Sequence, residues 1–267
     1  MELQIKRHKA YAYTGGKAFR PALPTVLFIH GAQNDHSVWI MQSRWLAHHG
    51  YNVLAVDLPA HGRSEGPLCS SIESMAAWCC DVLTELGVQR SAWIGHSMGS
   101  LIALEAAATR PEQSWANVLL GSAFPMQVSD ALLQAAAQDE ASAIDMITRW
   151  SHSGITHVPG TPGPGFSVYN QGRRLMERQA KGVLLNDFKA CNDYALGLER
   201  ALATVQPTLL LSAALDLMTP PKSAQILAKS ITGSRMQMIE YAGHQMMAEQ
   251  PDRVRQAISD FLSTAKP

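Results

Sequence analysis

The chain has 267 residues, of which 46% are hydrophobic and 16% are charged, so it holds enough apolar material for a large folded domain. This composition excludes a disordered chain, which would be poorer in apolar residues and richer in charge. Lysine plus arginine and aspartate plus glutamate both number 22, which gives a formal net charge of zero. Because that balance does not attract polyanions, we expect a small-molecule partner and neither nucleic acid nor a membrane.

The cysteines, the histidines and the N-terminus carry no signal of export or of metal binding. The four cysteines form no Cys-x-x-Cys pair, and free thiols are typical of the cytoplasm, where we expect the protein. No basic start is followed by an apolar run, and no stretch approaches the roughly 20 apolar residues of a membrane span. The ten histidines include no His-Glu-x-x-His motif. We therefore expect neither a metal nor another cofactor.

The first half of the chain alternates short apolar runs with segments of helical spacing. After a predicted hairpin within residues 3–13, we predict strands at 25–29, 52–56, 92–94 and 116–120, and helices at 37–49, 72–86 and 98–109. Continuous apolar runs are typical of strands that are covered on both faces. The alternation therefore predicts an α/β fold, with a mostly parallel central sheet and helices on both faces.

This alternation stops near residue 124 and resumes at residue 207. Between them, residues 129–149, 172–181 and 184–205 have helical patterns, and residues 154–165 are rich in glycine and proline, which is typical of a loop. Strands at 208–211 and 236–239 and a helix at 251–263 complete the chain. We predict that residues 1–123 and 207–267 form the core and that residues 124–206 form a mainly helical cap, since insertions of this length are often functional.

The pentapeptide Gly95-His96-Ser97-Met98-Gly99 joins a predicted strand to a predicted helix. Gly-x-Ser-x-Gly alone is a weak signal, but between a strand and a helix it is typical of a nucleophile elbow. The sharp turn exposes the serine hydroxyl above the sheet at a helix N-terminus, where free N–H groups favour developing negative charge. We predict that Ser97 is a nucleophile; the alternative is that it only caps the helix.

A serine hydroxyl needs a base to take its proton, and the base needs an acid to orient it. Asp216 follows the strand at 208–211, and His244 follows the strand at 236–239. The order Ser97, Asp216, His244 is one of three known chain orders of the serine triad. The sequence therefore predicts these three residues as catalytic.

With these motifs in place, the chain resembles the α/β-hydrolase superfamily, in its group of small capped serine hydrolases. The resemblance is carried by His30-Gly31, by the segment Asp-Leu-Pro-Ala-His-Gly-Arg-Ser at 57–64, by residues 95–99, and by the segments around Asp216 and Gly243-His244. It implies an oxyanion hole formed by the backbone N–H groups of Ala32 and Met98, with Gln33 the next candidate for Ala32.

The resemblance also ranks the other polar residues near these motifs. It places the catalytic acid after a late strand, which favours Asp216 over Asp57. It implies a structural role for His61 and Arg63, and we expect His30 to brace its loop and His96 to pack. Asp35 and His36 are weaker candidates for the pocket wall, next to the principal pocket candidates Gln33, Trp39, Phe124 and Met218.

Together these observations predict a cofactor-free serine hydrolase of carboxylic esters or related acyl compounds. We expect the residues Ile144, Trp150 and Phe166 of the cap to select uncharged, medium-sized acyl groups. Dehalogenase and epoxide hydrolase relatives have an aspartate where this chain has Ser97. A carbon–carbon bond hydrolase of ring-cleavage products and a receptor-like ligand-binding protein both share the serine triad, and they stay open as alternatives.

Overall fold

A computed structural model describes residues 1–157 and 167–265, and the structural statements below refer to these residues. They form an eight-stranded sheet with the order β1-β2-β4-β3-β5-β6-β7-β8. The strands are β1 (Glu2–Ile5), β2 (His8–Tyr13), β3 (Thr25–Ile29), β4 (Asn52–Val56), β5 (Ser91–His96), β6 (Ser114–Leu120), β7 (Thr208–Ala213) and β8 (Arg235–Ile239). β1 pairs antiparallel with β2, and β2 pairs antiparallel with β4. All neighbouring strands in the series β4-β3-β5-β6-β7-β8 are parallel, which confirms the predicted fold class.

Eleven α-helices accompany this sheet in the described part of the chain. They are α1 (Ile40–His48), α2 (Ile72–Glu85), α3 (Met98–Thr109), α4 (Asp130–Gln138), α5 (Glu140–Ser151), α6 (Val168–Glu177), α7 (Val183–Asp193), α8 (Gly197–Ala203), α9 (Pro221–Ser230), α10 (Met246–Glu249) and α11 (Pro251–Ala265). None of these helices is both long and apolar enough to cross a membrane.

The alternating side chains of the strands build two cores, one on each face of the sheet. Leu27 and Ile29 of β3 face the helices α2, α3 and α9, whereas Val26 and Phe28 face α1 and α11. Successive residues of a strand point to opposite faces, so a strand between two helical layers must be apolar throughout. This is why the runs at 25–29 and 52–56 predict their strands at the observed residues.

Between β6 and β7 the described residues contain the five helices α4 to α8 and no strand, as the sequence predicts. These helices have a small core of their own, which includes Leu132, Ile144, Ile147 and Phe188. We call residues 124–206 the helical segment. Its predicted role as a cap stays a prediction.

Several helix boundaries differ from the prediction. The predicted helix 129–149 is two helices, because the Asp139 side chain accepts the Ser142 N–H at 3.2 Å and caps a new helix there. The predicted helix 184–205 is also divided, into α7 and α8. The sequence analysis missed α9 and the four-residue α10, and residues 36–39 form a 3₁₀ turn ahead of α1.

Candidate active site

Ser97 lies at the tip of the turn between β5 and α3, with φ 54° and ψ −121°. A non-glycine residue in such a conformation costs of order 1–3 kcal/mol and persists only where its surroundings impose it. The flanking glycines show why: a Cβ atom on Gly95 would lie 1.9 Å from the Gly99 carbonyl oxygen, and one on Gly99 would lie 2.4 Å from the Ile29 carbonyl oxygen. Only glycine at both positions lets the turn close this tightly.

His244 and Asp216 are in direct contact. Nδ1 of His244 lies 2.8 Å from Oδ2 of Asp216, and both side chains are almost fully buried. The Thr219 hydroxyl donates to the same carboxylate oxygen at 2.8 Å and lies 3.1 Å from His244 Nδ1. The other oxygen of Asp216 accepts the backbone N–H groups of Met218 and Thr219, both at 2.8 Å. The carboxylate is therefore fixed in one orientation toward the imidazole.

The surroundings keep this carboxylate ionised. Burial raises the pKa of Asp216, but the nearby His244 charge and the hydrogen bonds from His244 and Thr219 lower it more, so the pKa lies below its ordinary value. Beneath His244, the ring of His96 donates from Nε2 to the His244 carbonyl oxygen at 2.9 Å. Burial and the neighbouring His244 lower the pKa of His96 to about 3, so His96 is neutral and packs as expected.

Ser97 and His244 both lie next to the end of β6, at Leu120 and Gly121. The Ser97 N–H donates to the Leu120 carbonyl at 2.9 Å, and a Cβ atom on the following Gly121 would lie 3.0 Å from Cε1 of His244. Ser97 and Thr219 also line one cavity of about 190 Å³. A nucleophile candidate and a histidine–carboxylate pair therefore share the carboxyl edge of a parallel sheet, where ligands bind in such folds.

The two predicted oxyanion donors, Ala32 and Met98, both lie next to Ser97. Ala32 lines the cavity beside Ser97, and a Cβ atom on Gly31 would lie 3.2 Å from the Ser97 Cβ. Met98 is the first residue of α3, so its N–H is one of the four that lack a partner inside the helix. The Gln33 N–H instead donates to Asp187 at 2.9 Å. Of the two candidates in this loop, Ala32 is therefore the better donor.

The cavity wall is mostly apolar, and no charged residue contributes to it in the part of the chain that the structure describes. Its lining residues are Ala32, Ser97, Met126, Gln127, Val128, Ser129, Leu132, Trp150, Phe188, Cys191, Leu217, Met218 and Thr219. Met218 and Trp150, two of the predicted pocket residues, line this cavity. That they contact a substrate stays a prediction. Most of the other lining residues, which the sequence does not mark, belong to the helical segment, and Leu217 and Thr219 come from the loop after β7.

Comparison with known proteins agrees with this fold. Residues 26–257 match the family model described as the alpha/beta hydrolase family. The chain belongs to this family. It is 26% identical over 261 residues to the protein named "Putative carbamate hydrolase RutD" of Klebsiella pneumoniae subsp. pneumoniae, which covers 92% of this chain and 94% of that relative.

Solved structures share the fold of this alpha/beta hydrolase at low identity. The enol-lactonase from Burkholderia xenovorans LB400 has a TM-score of 0.87 and 21% identity, covering 98% of this chain and 100% of that one. An esterase from Exiguobacterium antarcticum has a TM-score of 0.85 and 19% identity, covering 98% of each chain. At this identity the likeness shows the fold alone. The family and its named relatives support hydrolase activity.

In this alpha/beta hydrolase, several predicted pocket residues lie elsewhere. Trp39 is fully buried below the sheet, with its ring centroid 5.0 Å from that of Phe28, because the 3₁₀ turn directs it into the core. Phe124 packs against Tyr194 and α8, with ring centroids 6.1 Å apart. Gln33 is fully buried and bonded to the helical segment. These three predictions of cavity contact are wrong.

One of the predicted specificity residues, Ile144, also lies away from the described cavity wall. Ile144 is buried in the core between the helices of the segment, where it contributes to their packing. Phe166 lies outside the described residues.

The remaining polar candidates of the hydrolase hold loops in place. Asp57 accepts the N–H and ring Nδ1 of His36, each at 2.7 Å, and the Arg63 N–H at 2.9 Å, so its contacts are remote from His244. His30 contacts the Gly31 carbonyl at 2.8 Å and accepts the Leu58 N–H at 3.1 Å. Burial, and then the charge of His61, lower the pKa of His30 to about 4, so it is a neutral brace.

Asp35, His36 and Asp57 are the described residues whose ligand atoms come close enough to hold a metal ion, within 4.8 Å of one another. Their carboxylates are already engaged: Asp57 as above, and Asp35 by Ser37, Arg178 and Gln179. A carboxylate whose oxygens accept several hydrogen bonds has little need of a cation. We therefore assign this group a structural role beside the loop that carries Ala32.

Proposed function

We propose that this protein is a cofactor-free serine hydrolase that cleaves carboxylic esters or related acyl compounds through an acyl-enzyme on Ser97. The observation that carries the proposal is the His244–Asp216 hydrogen bond at 2.8 Å, next to Thr219, which lines the same cavity as Ser97. A nucleophile, a base and an orienting acid together are the recognised constellation of acyl transfer. The family match and the hydrolase relatives support the same reaction class.

In the first half of the reaction, the Ser97 hydroxyl attacks the substrate carbonyl carbon while His244 takes its proton at Nε2. Asp216 accepts the hydrogen bond from Nδ1, which selects the tautomer with a free Nε2 and stabilises the imidazolium that forms. The N–H groups of Ala32 and Met98 bind the oxygen as its negative charge develops. The bond between the carbonyl carbon and the leaving oxygen or nitrogen then breaks, His244 gives its proton to the departing alcohol or amine, and the acyl group stays on Ser97.

In the second half, water attacks the acyl group on Ser97, with His244 again acting as base. The carbonyl–oxygen bond to Ser97 breaks, the acid product leaves, and the serine hydroxyl is restored. No oxidation state changes in either half, so the mechanism needs no redox cofactor.

The lining of the cavity supports an uncharged, mainly apolar acyl group as the preferred substrate part. Its described wall holds leucine, methionine, phenylalanine, tryptophan and valine side chains, and its volume of about 190 Å³ suits a small to medium-sized group. Carbamates are a second candidate class, because the relative named as a carbamate hydrolase covers 94% of its own length in the match. The same Ser97 chemistry serves both classes.

The cysteines are free thiols, which supports the proposed cytoplasmic location.

A substrate panel tests this proposal. The parent protein and Ser97→Ala are given alkyl esters of graded acyl length, carbamates, enol-lactones and vinylogous diketone acids, and the parent is also treated with a serine-reactive phosphonate. We expect ester or carbamate turnover, and phosphonate labelling at Ser97. Turnover of the diketone acids alone would favour the carbon–carbon bond hydrolase. Labelling without turnover of any substrate would favour a receptor-like protein, and either result would overturn the proposal.

A further inference from the structure

The peptide group between Ala32 and Gln33 is held at both of its polar atoms. Its carbonyl oxygen accepts the side-chain amide of Asn34 at 2.9 Å, and its N–H donates to Oδ2 of Asp187 at 2.9 Å. Gln33 has a φ of 58°, a conformation that a non-glycine residue keeps only where its surroundings impose it. Because this peptide follows Ala32 directly, its orientation limits where the Ala32 N–H can point.

The residue that holds this N–H, Asp187 of α7, has no part in the proposed chemistry. It is fully buried, and its Oδ2 also lies 2.9 Å from Nε2 of the buried His61. Burial lowers the pKa of His61, but the charge and hydrogen bond of Asp187 raise it more, so the pKa lies above its ordinary value. Buried ion pairs contribute little net stability compared with apolar side chains of the same size. A role beyond stability therefore explains this carboxylate better.

Further contacts join the helical segment to the same loop. The Gln33 side-chain amide donates to Glu140 Oε1 at 3.3 Å and to the Met176 carbonyl at 3.2 Å. The Gln179 amide donates to Asp35 Oδ2 at 3.0 Å. All these contacts connect residues more than a hundred positions apart in the chain. The conformation of this loop thus depends on the docking of the helical segment.

We propose that Asp187 is a positioning residue, which holds the Ala32–Gln33 peptide so that the Ala32 N–H points at the substrate carbonyl oxygen. This inference rests on the proposed function, because it concerns the same Ser97 chemistry. It links the oxyanion hole to the helical segment: the hole is complete only while that segment is docked. Donors fixed in advance stabilise the transition state without reorganisation, and a misplacement of about 1 Å can cost about 10²-fold in rate.

Two substitutions at Asp187 test the proposal. Asp187→Asn keeps the size but loses the charge and one acceptor, and Asp187→Ala removes the acceptor entirely. For an ester substrate we expect kcat to fall about 10-fold in the first and about 10²-fold in the second, with KM changed by less than about threefold.

Tyr194→Phe is the matched control. Its hydroxyl is also buried in the helical segment and donates to Glu105 at 2.8 Å, remote from the loop of Ala32. We expect Tyr194→Phe to lower the melting temperature and to leave kcat unchanged.

Inhibition by an alkyl boronic acid gives a readout that a merely structural role would not move. The boronate adduct of Ser97 is tetrahedral and places an oxygen in the oxyanion hole, whereas the alcohol product contains no such oxygen. We expect the inhibition constant of the boronic acid to rise by the same factor by which kcat/KM falls, with the affinity for the alcohol product unchanged.

If folded Asp187→Ala keeps the parent's kcat and boronate affinity, this inference is overturned while the proposed function stands. If the parent protein neither turns over esters nor binds the boronate, the proposed function fails and the inference fails with it. Should Asp187→Ala not fold, Glu140→Ala gives a second comparison, because Glu140 accepts the Gln33 side-chain amide at 3.3 Å and the Gly182 N–H at the start of α7 at 3.0 Å, and so supports both the loop and the helix that carries Asp187. We expect about a threefold loss in both quantities there, and unchanged values would overturn the inference.

Discussion

Replacing Asp216 by asparagine reverses the hydrogen bond that orients His244. One oxygen of Asp216 accepts the N–H groups of Met218 and Thr219, both at 2.8 Å. Asparagine keeps these two bonds only with its own oxygen there, which places its NH₂ group against His244 Nδ1. The imidazole must then accept at Nδ1 and carry its proton on Nε2, so it cannot take the Ser97 proton.

The magnitude follows from the cost of the alternative side-chain orientation. Turning the amide around would restore the productive tautomer but leave the partly buried Met218 N–H and the buried Thr219 N–H facing an NH₂ group, at about 1–3 kcal/mol each. A total of about 2–6 kcal/mol corresponds to a loss of about 30-fold to about 10⁴-fold, since each tenfold is about 1.4 kcal/mol. The upper end agrees with the roughly 10⁴-fold loss typical of this substitution in serine triads.

The assay is steady-state hydrolysis of a small ester near neutral pH, with circular dichroism to verify folding. Asp57→Asn is the control, because the Asp57 carboxylate accepts hydrogen bonds from His36 and Arg63 instead of His244. We expect it to lower the melting temperature and to affect kcat far less. A folded Asp216→Asn protein with nearly the parent's kcat, beside an inactive folded Asp57→Asn protein, would refute our assignment of the acid.

Three further predictions concern the elbow, the cavity wall and acid stability. Gly99→Ala should lower the free energy of unfolding by about 1–3 kcal/mol, because its Cβ would lie 2.4 Å from the Ile29 carbonyl oxygen; an unchanged denaturation midpoint would contradict this. Trp150→Ala should change the ratio of the rates for long and short acyl esters, because Trp150 lines the cavity, whereas Ile144→Ala should lower only the stability. If the two variants have the same ratio, Trp150 does not determine acyl-length specificity. Burial raises the pKa of Asp35, but the hydrogen bonds that it accepts lower it more. The unfolded chain therefore binds the proton first as pH falls, and Asp35→Asn should flatten the loss of melting temperature below about pH 5; parallel curves for parent and variant would be evidence against this.

The sheet was predictable because burial on both faces leaves a plain record in the sequence. The strands 25–29 and 52–56 are apolar at every position after the first, a pattern that a solvent-facing strand could not tolerate. The helix break at Asp139 could also have been predicted from the sequence. Aspartate is a preferred N-cap residue, because its side chain can accept the backbone N–H of the residue three positions later, here Ser142. There the apolar spacing across residues 129–149 concealed the local cap.

The sequence predicts only those site residues that directly follow a strand of the parallel sheet. Ser97, Asp216 and His244 each come after a strand of the parallel sheet, so chain order and motif suffice to bring them forward as candidates. The cavity wall depends instead on how the helical segment docks, and no local pattern marks Leu132, Phe188 or other residues of the segment as wall residues. The contact between Asp187 and Gln33 spans 154 positions and leaves no periodic signal either.

Thr219 is a different kind of omission. It lies three residues after Asp216, and a hydroxyl at that spacing commonly closes a turn on an aspartate side chain. This local signal was present in the sequence and would have pointed to a second hydrogen-bond donor for the acid.

Trapping the acyl group on Ser97 tests the central claim most directly. The parent protein is mixed with an excess of an activated ester, quenched in acid during the burst, digested and analysed by mass spectrometry, with Ser97→Ala treated in parallel. We expect one acyl group per chain on the peptide that contains Ser97, none on Ser97→Ala, and a loss of turnover of about 10⁴-fold or more in that variant. Turnover by folded Ser97→Ala within about tenfold of the parent, or an acyl group on another residue, would contradict it.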